Sequence, residues 1–172
     1  MMSIAEILKD EAVRSYLHRL IRDEGLDLLE RFPEEGEYSD EDLAEKTGIN
    51  LNSVRHTLYT LYEKRLAEYR RLKNTETGWL TYLWTLRLDQ VEAAILEDMQ
   101  IILEKLEARE NFEEENDFYL CETCGTFTFN EVMELDFACP RCSRPVEHFD
   151  NEALLSALKR RISDMRECLG YE

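Results

Sequence analysis

Basic residues are scarce in this chain. Its 172 residues include 21 Lys plus Arg against 38 Asp plus Glu, a formal net charge of −17. A surface that grips phosphates everywhere by displacing their counterions is therefore excluded, and any nucleic-acid contact is confined to a local patch. Long apolar runs are also missing. Although 44% of residues are hydrophobic, no stretch approaches the ~18 consecutive apolar residues of a membrane-crossing helix. Met1-Met2-Ser3-Ile4-Ala5-Glu6 lacks a basic residue followed by an apolar core, so no secretory signal is read and a cytoplasmic location is expected. Catalytic motifs are absent as well. The three histidines, His18, His56 and His148, sit in no nucleophile, metal-hydrolase or phosphate-loop pattern, and the chain is expected not to be an enzyme.

What charge there is lies unevenly. Residues 1–88 hold 13 basic and 17 acidic side chains, and residues 89–172 hold 8 and 21. Only the first half is suited to meet a polyanion.

Periodicity and punctuation divide the first half. Ser3 with Glu6 fits a capping box, and Ile4, Leu8, Tyr16, Leu17, Leu20 and Ile21 are helix-spaced up to Gly25. Leu26, Leu28, Leu29 and Phe32 continue helically to Pro33, where Glu34-Glu35-Gly36-Glu37 reads as a loop. Ser39, with Asp42 three residues on, opens a short helix that stops at Gly48. Asn50 caps the next, with Leu51, Val54, Leu58 and Leu61 on one face. Two helices joined by a glycine turn are the grammar of a helix-turn-helix. Leu66 to Leu72 and Trp79 to Leu86 then read as strands around a turn at Lys73-Asn74-Thr75-Glu76-Thr77-Gly78. The order predicts a winged helix. In its second strand Trp79, Thr81 and Leu83 share one face, while Leu80, Tyr82, Trp84 and Leu86 share the other. Both faces are apolar, so one covers the core and the other packs on a further segment or on a partner.

From Leu88 the spacing is helical again. Leu88, Val91, Ile95, Met99, Ile102 and Leu106 form a stripe, widened by Leu96, Ile101 and Leu103, which predicts a long connecting helix that buries a broad face, with Glu113-Glu114-Glu115-Asn116-Asp117 as a solvated acidic hinge at its end. Leu154, Leu158, Ile162, Met165 and Leu169 mark a final amphipathic helix, either folded back on the connector or docked on another protein.

The most specific signal is Cys121-Glu122-Thr123-Cys124 with Cys139-Pro140-Arg141-Cys142. Two residues between paired cysteines let both thiolates reach one ion from a tight turn, and two such knuckles complete a four-thiolate site. Cys121, Cys124, Cys139 and Cys142 are thus candidate ligands of one structural Zn²⁺, with no open position for hydrolysis. Gly125 suits the turn after the first knuckle, whereas Ser143 stands where glycine would fit most easily. Phe127 and Phe129 alternate with Thr126 and Thr128, and with Val132, Leu135 and Phe137 they suggest short strands of a zinc ribbon. An iron site of the same geometry, a redox pair and a secreted disulfide framework are the competing readings. His148 and Cys168 are assigned to an exposed strand and a helix face.

Duplex reading through the third helix is disfavoured. Its outward face, Asn52, Arg55, His56, Tyr59 and Glu63, offers one permanent cation, too few for the phosphate contacts that accompany groove reading. The wing is richer. Arg70, Arg71 and Lys73 beside Trp79, Tyr82 and Trp84 suit melted strands on which bases stack, or are core rings with solvated cations.

The sequence resembles archaeal transcription factor E, the counterpart of the large (alpha) subunit of eukaryotic general factor IIE. The resemblance is carried by Glu24-Gly25-Leu26-Asp27, Ala44-Glu45-Lys46-Thr47-Gly48-Ile49, Val54-Arg55, Leu58-Tyr59, Leu61-Tyr62, Tyr69-Arg70-Arg71, Thr77-Gly78-Trp79, Trp84 and the four cysteines. It covers nearly the whole chain, with Ser143 a mild departure. It implies an α+β chain: an extended winged helix (1–87), a helical linker (88–116), a zinc ribbon (117–150) and a terminal helix (151–172). It also implies a monomeric basal initiation factor that binds the clamp and stalk of RNA polymerase. Its further partners would be TATA-box-binding protein, transcription factor B and the non-template strand of promoter DNA, and it would favour promoter opening. The rival reading is a winged-helix repressor with a structural zinc site.

Overall fold

The computed structural model describes residues 4–33, 36–73, 75–76 and 78–171. Ser3, expected to cap the first helix, and Glu34, Glu35, Asn74 and Thr77 of the two expected loops lie outside the described residues. The chain forms two compact units, Met1–Glu97 and Asp98–Glu172.

The first unit begins with α1 (Ile4–Ile7) and α2 (Glu11–Glu30). Asp10 caps α2, its carboxylate accepting from the amides of Ala12 at 2.8 Å and Val13 at 3.2 Å. This satisfies donors that a helix start leaves without intrahelical partners. Arg22 interrupts α2 with φ 59° and ψ −171°, so the element is two helical runs meeting at a kink. Gly25 lies three residues on, where an added Cβ would stand 2.4 Å from Ile21 Cβ. Only glycine fits that approach.

The next boundaries follow local chemistry. Ser39 and Asp42 form a reciprocal capping box on α3 (Asp40–Thr47), which Gly48 ends at φ 71°. Asn50 then caps α4 (Leu51–Glu63) through the Asn52 amide at 2.9 Å. Strands β1 (Ala67–Lys73) and β2 (Leu80–Leu86) pair antiparallel with Tyr69 opposite Trp84 and Arg71 opposite Tyr82. Tyr38 extends the sheet by a bridge to Trp84, with amide-to-carbonyl distances of 3.2 and 2.8 Å. Leu17, Leu28, Leu43, Val54, Leu58, Leu61, Leu66 and Trp84 fill the core beneath.

After a 3₁₀ turn at Leu88–Gln90, α5 runs from Val91 to Glu115. The second unit then adds β3 (Phe118–Cys121), β4 (Gly125–Thr128), α6 (Phe129–Met133), β5 (Glu147–Phe149) and α7 (Glu152–Leu169). The three strands make an antiparallel sheet in the order β4-β3-β5. Helix α7 packs on α5, burying Leu103, Ile162 and Met165 with Met99, Leu106 and Leu169 around them. Arg166 pairs with Glu107 at 2.6 Å and Lys159 with Glu114 at 2.5 Å along the edges. The final helix therefore folds back on the connector.

Three expectations need correction. The expected acidic hinge is helical through Glu115, and Glu113 is buried rather than solvated. Asn151 accounts for this, donating to the Glu113 carbonyl at 3.0 Å and to its carboxylate at 2.7 Å, while Arg109 pairs with the same side chain. On α5 Val91 and Leu103 of the expected stripe are buried, whereas its Ile102, Leu96 and Ile101 are exposed. In the cysteine-rich segment Phe129–Met133 is helical, not extended, because Thr128 and Glu131 form a capping box there. Among the described residues no helix is long and apolar enough to cross a membrane.

Replacing Gly25 with Ala is expected to destabilise the first unit by about 1–3 kcal/mol through overpacking against Ile21. Urea unfolding followed by circular dichroism measures this.

Candidate metal centre and partner-contact surface

Pairing of Cys121 with Gly125 at the ends of β3 and β4 closes the first knuckle, and the Cys124 amide donates to the Cys121 carbonyl at 3.3 Å. The second knuckle closes by the Ser143 amide on the Cys139 carbonyl at 2.9 Å and the Cys139 amide on the Arg144 carbonyl at 2.7 Å. Ser143 adopts φ 58°, the left-handed conformation that favours glycine.

These turns bring the sulfurs of Cys121, Cys124, Cys139 and Cys142 within 4.8 Å of one another. The Cys121 and Cys142 sulfurs are 3.6 Å apart. Four thiolates ~2.3 Å from one tetrahedral ion would stand roughly 3.8 Å from each other, so the spacing fits a zinc site. The electrostatics agree. The Thr123 hydroxyl, at 3.5 Å, and its amide pull the Cys121 thiol down to about 6. Cys142 is lowered chiefly by the Arg144 amide. For Cys124 the Thr123 hydroxyl acts downward, but neighbouring sulfurs and burial outweigh it and push the thiol up to about 11. Thiolates this close oppose one another's ionisation, and a divalent cation is what relieves the conflict. Cys121 and Cys139 are buried. His148 lies exposed in β5 against the Tyr119 ring, and Cys168 is exposed on α7. Neither belongs to the cluster.

The cation and ring set of the first unit is partly dispersed. Arg70 donates to Glu37 at 2.5 Å, which holds the Glu37 carboxyl below its ordinary range. Arg71 lies over the rings of Tyr69 and Tyr82, at 5.9 and 5.8 Å from their centroids. Lys73 ends β1 on the exposed side, Trp79 is 76% exposed, and Tyr82 is half-buried. Trp84 departs from the expectation of a contact residue. It is 1% exposed and its indole N–H donates to Asp40 at 3.1 Å, so its ring is unavailable to a partner. Asp40 also accepts from Arg55 at 2.6 Å, and Glu41 takes the other end of that guanidinium at 2.7 Å. The one cation on the outward face of α4 is thereby internally paired.

Around Trp84 the structure gathers rings that were not grouped from the sequence. Tyr59, Tyr62 and Tyr69 lie 5.3, 6.3 and 5.1 Å from its ring centroid, and Tyr69 reaches Tyr82 at 5.1 Å. Tyr59 and Tyr62 remain 49% and 44% exposed. The available signal was their spacing of three on α4.

The TFIIE alpha subunit family profile matches residues 9–115. The chain belongs to this family. Transcription factor E of Methanoregula boonei is 62% identical over 169 residues, covering 98% of each chain. That of Methanospirillum hungatei is 56% identical over 172 residues, covering 99% of each. Transcription factor E of Haloarcula marismortui is 43% identical, covering 99% of this chain and 97% of its own. Membership in the TFIIE alpha family marks a general transcription initiation factor, a class without enzymatic activity.

Removing the metal, or replacing Cys121 with Ser, is expected to unfold the ribbon, because metal binding supplies much of the folding free energy of so small a unit. The purified protein should carry one zinc per chain by elemental analysis and lose β3–β5 amide protection on chelation.

Proposed function

We propose that this chain is a basal initiation factor that acts on RNA polymerase rather than on a DNA sequence. Residues 1–87 serve as a winged helix, 88–116 as a helical linker, 117–150 as a ribbon holding one structural Zn²⁺ through the four cysteines, and 151–172 as a terminal helix. The factor works in the cytoplasm as a monomer with polymerase clamp and stalk, TATA-box-binding protein and transcription factor B. It assists recognition of weak promoters and stabilises the open complex.

The observation that carries this reading is the contrast within the first unit. The Arg55 guanidinium on α4 is held by Asp40 and Glu41, which supports the reading that this helix does not track duplex phosphates. On the hairpin, Arg71 and Lys73 are exposed and Trp79 is 76% exposed, which supports contact with a nearby strand. A base on an aromatic ring gains ~1–3 kcal/mol by stacking. Such a contact exists only once the strands have separated, so it favours the open over the closed complex. The acidic remainder limits binding to places where protein contacts have already put the hairpin.

Replacing Arg70, Arg71 and Lys73 with Ala, or Trp79 with Ala, is expected to reduce opening at a weak promoter several-fold. Permanganate footprinting of unpaired thymines reads this out. Unchanged footprints would remove the hairpin from the mechanism.

A further inference from the structure

The second unit exposes apolar side chains that its own fold leaves uncovered. Met133, Leu135 and Phe137, alternate residues just before the second knuckle, are 49%, 46% and 37% exposed. Phe137 has φ 58° after Asp136 at φ 52°, two consecutive non-glycine residues in the left-handed region. Each such residue costs ~1–2 kcal/mol. The Phe137 ring meets Tyr119 at 5.2 Å and Phe129 at 5.9 Å, so this end of the ridge is braced by other rings. Between them lie Glu134 and Asp136, both exposed. Among the described residues neither forms an ion pair.

We infer that this acidic, apolar ridge, residues 133–137, is a docking surface for a protein whose apolar pocket is rimmed by Lys or Arg. The charge selects that occupant. Nucleic acid would meet Glu134 and Asp136 with like charge, and no cation lies between Phe129 and Ala138 to offset it. A second copy of the chain would set the same carboxylates against each other. A basic-rimmed pocket buries Met133 and Leu135 while neutralising both carboxylates, the complementarity that gives specificity and fast encounter. Resting on the initiation-factor reading, the surface lies on RNA polymerase and is separate from whatever the hairpin of the first unit touches.

The test uses the zinc-loaded full chain and purified archaeal RNA polymerase, with affinity measured at two salt concentrations. The variants are Met133→Ser with Leu135→Ser, and Glu134→Gln with Asp136→Asn. All four side chains are exposed, and unchanged zinc content and circular dichroism confirm folding. The serine pair is expected to weaken binding about tenfold or more, which is ~1.4 kcal/mol. The amide pair should weaken it at low salt and flatten the salt dependence. Wild-type affinity in both variants, with the native chain still bound, overturns this inference and leaves the initiation-factor reading standing. No binding by the native chain overturns both. Single-stranded DNA or self-association that depends on Met133 and Leu135 would assign the ridge to another occupant and overturn the proposal.

Discussion

The Asp40 carboxylate is the junction on which the first unit turns. At the first residue of α3 it accepts from the Trp84 indole of β2 and the Arg55 guanidinium of α4, so one half-buried acid ties two helices to the hairpin. Both bonds have functional consequences. The first draws a tryptophan of the hairpin into the core, where it supports Tyr59, Tyr62 and Tyr69. The second takes the cation of the outward α4 face out of circulation. The bond from the buried Trp84 indole to this charged acceptor contributes about 1.5–3 kcal/mol. The geometry that ties the fold together also keeps the one cation of the outward α4 face in internal ion pairs.

The charge balance gives that arrangement its context. With −17 overall, the protein is repelled by DNA except where a few cations are displayed, and Arg71 and Lys73 on the hairpin are such a place. The second unit is more acidic and carries its apolar residues on a ridge flanked by carboxylates. One unit thus presents cations and rings, and the other presents carboxylates and aliphatic side chains. Surfaces of such different chemistry select different partners. In the cysteine-rich segment a small core of Phe127, Val132 and Val146 packs around the sulfur cluster, and metal binding there would add to its folding free energy.

Much of this was legible because it is local. Ser39, Gly48 and Asn50 announced their helix ends through chemistry confined to four residues, and the knuckle spacing implied sulfur clustering without knowledge of the rest. The tertiary choices were not legible. Alternation put Trp84 on a face but did not say whether that face was core or display; the distant Asp40 decided it. Glu113 looked solvated among its acidic neighbours, yet Asn151, 38 residues away, supplies the hydrogen bonds that permit its burial. Ile102 and Leu103 are equally apolar and adjacent, so the position of α7 alone selects which is covered. Helix formation at Phe129–Met133 was readable from Thr128 and Glu131, but the alternating phenylalanines gave the stronger and misleading period.

The most direct test compares the zinc-loaded chain on promoter duplex alone with the same chain on polymerase bound to that promoter, at physiological salt. The account predicts no sequence-specific shift of the duplex alone and stable retention on the polymerase–promoter complex. Tight, sequence-specific binding to the duplex without polymerase, and none to the complex, would contradict it.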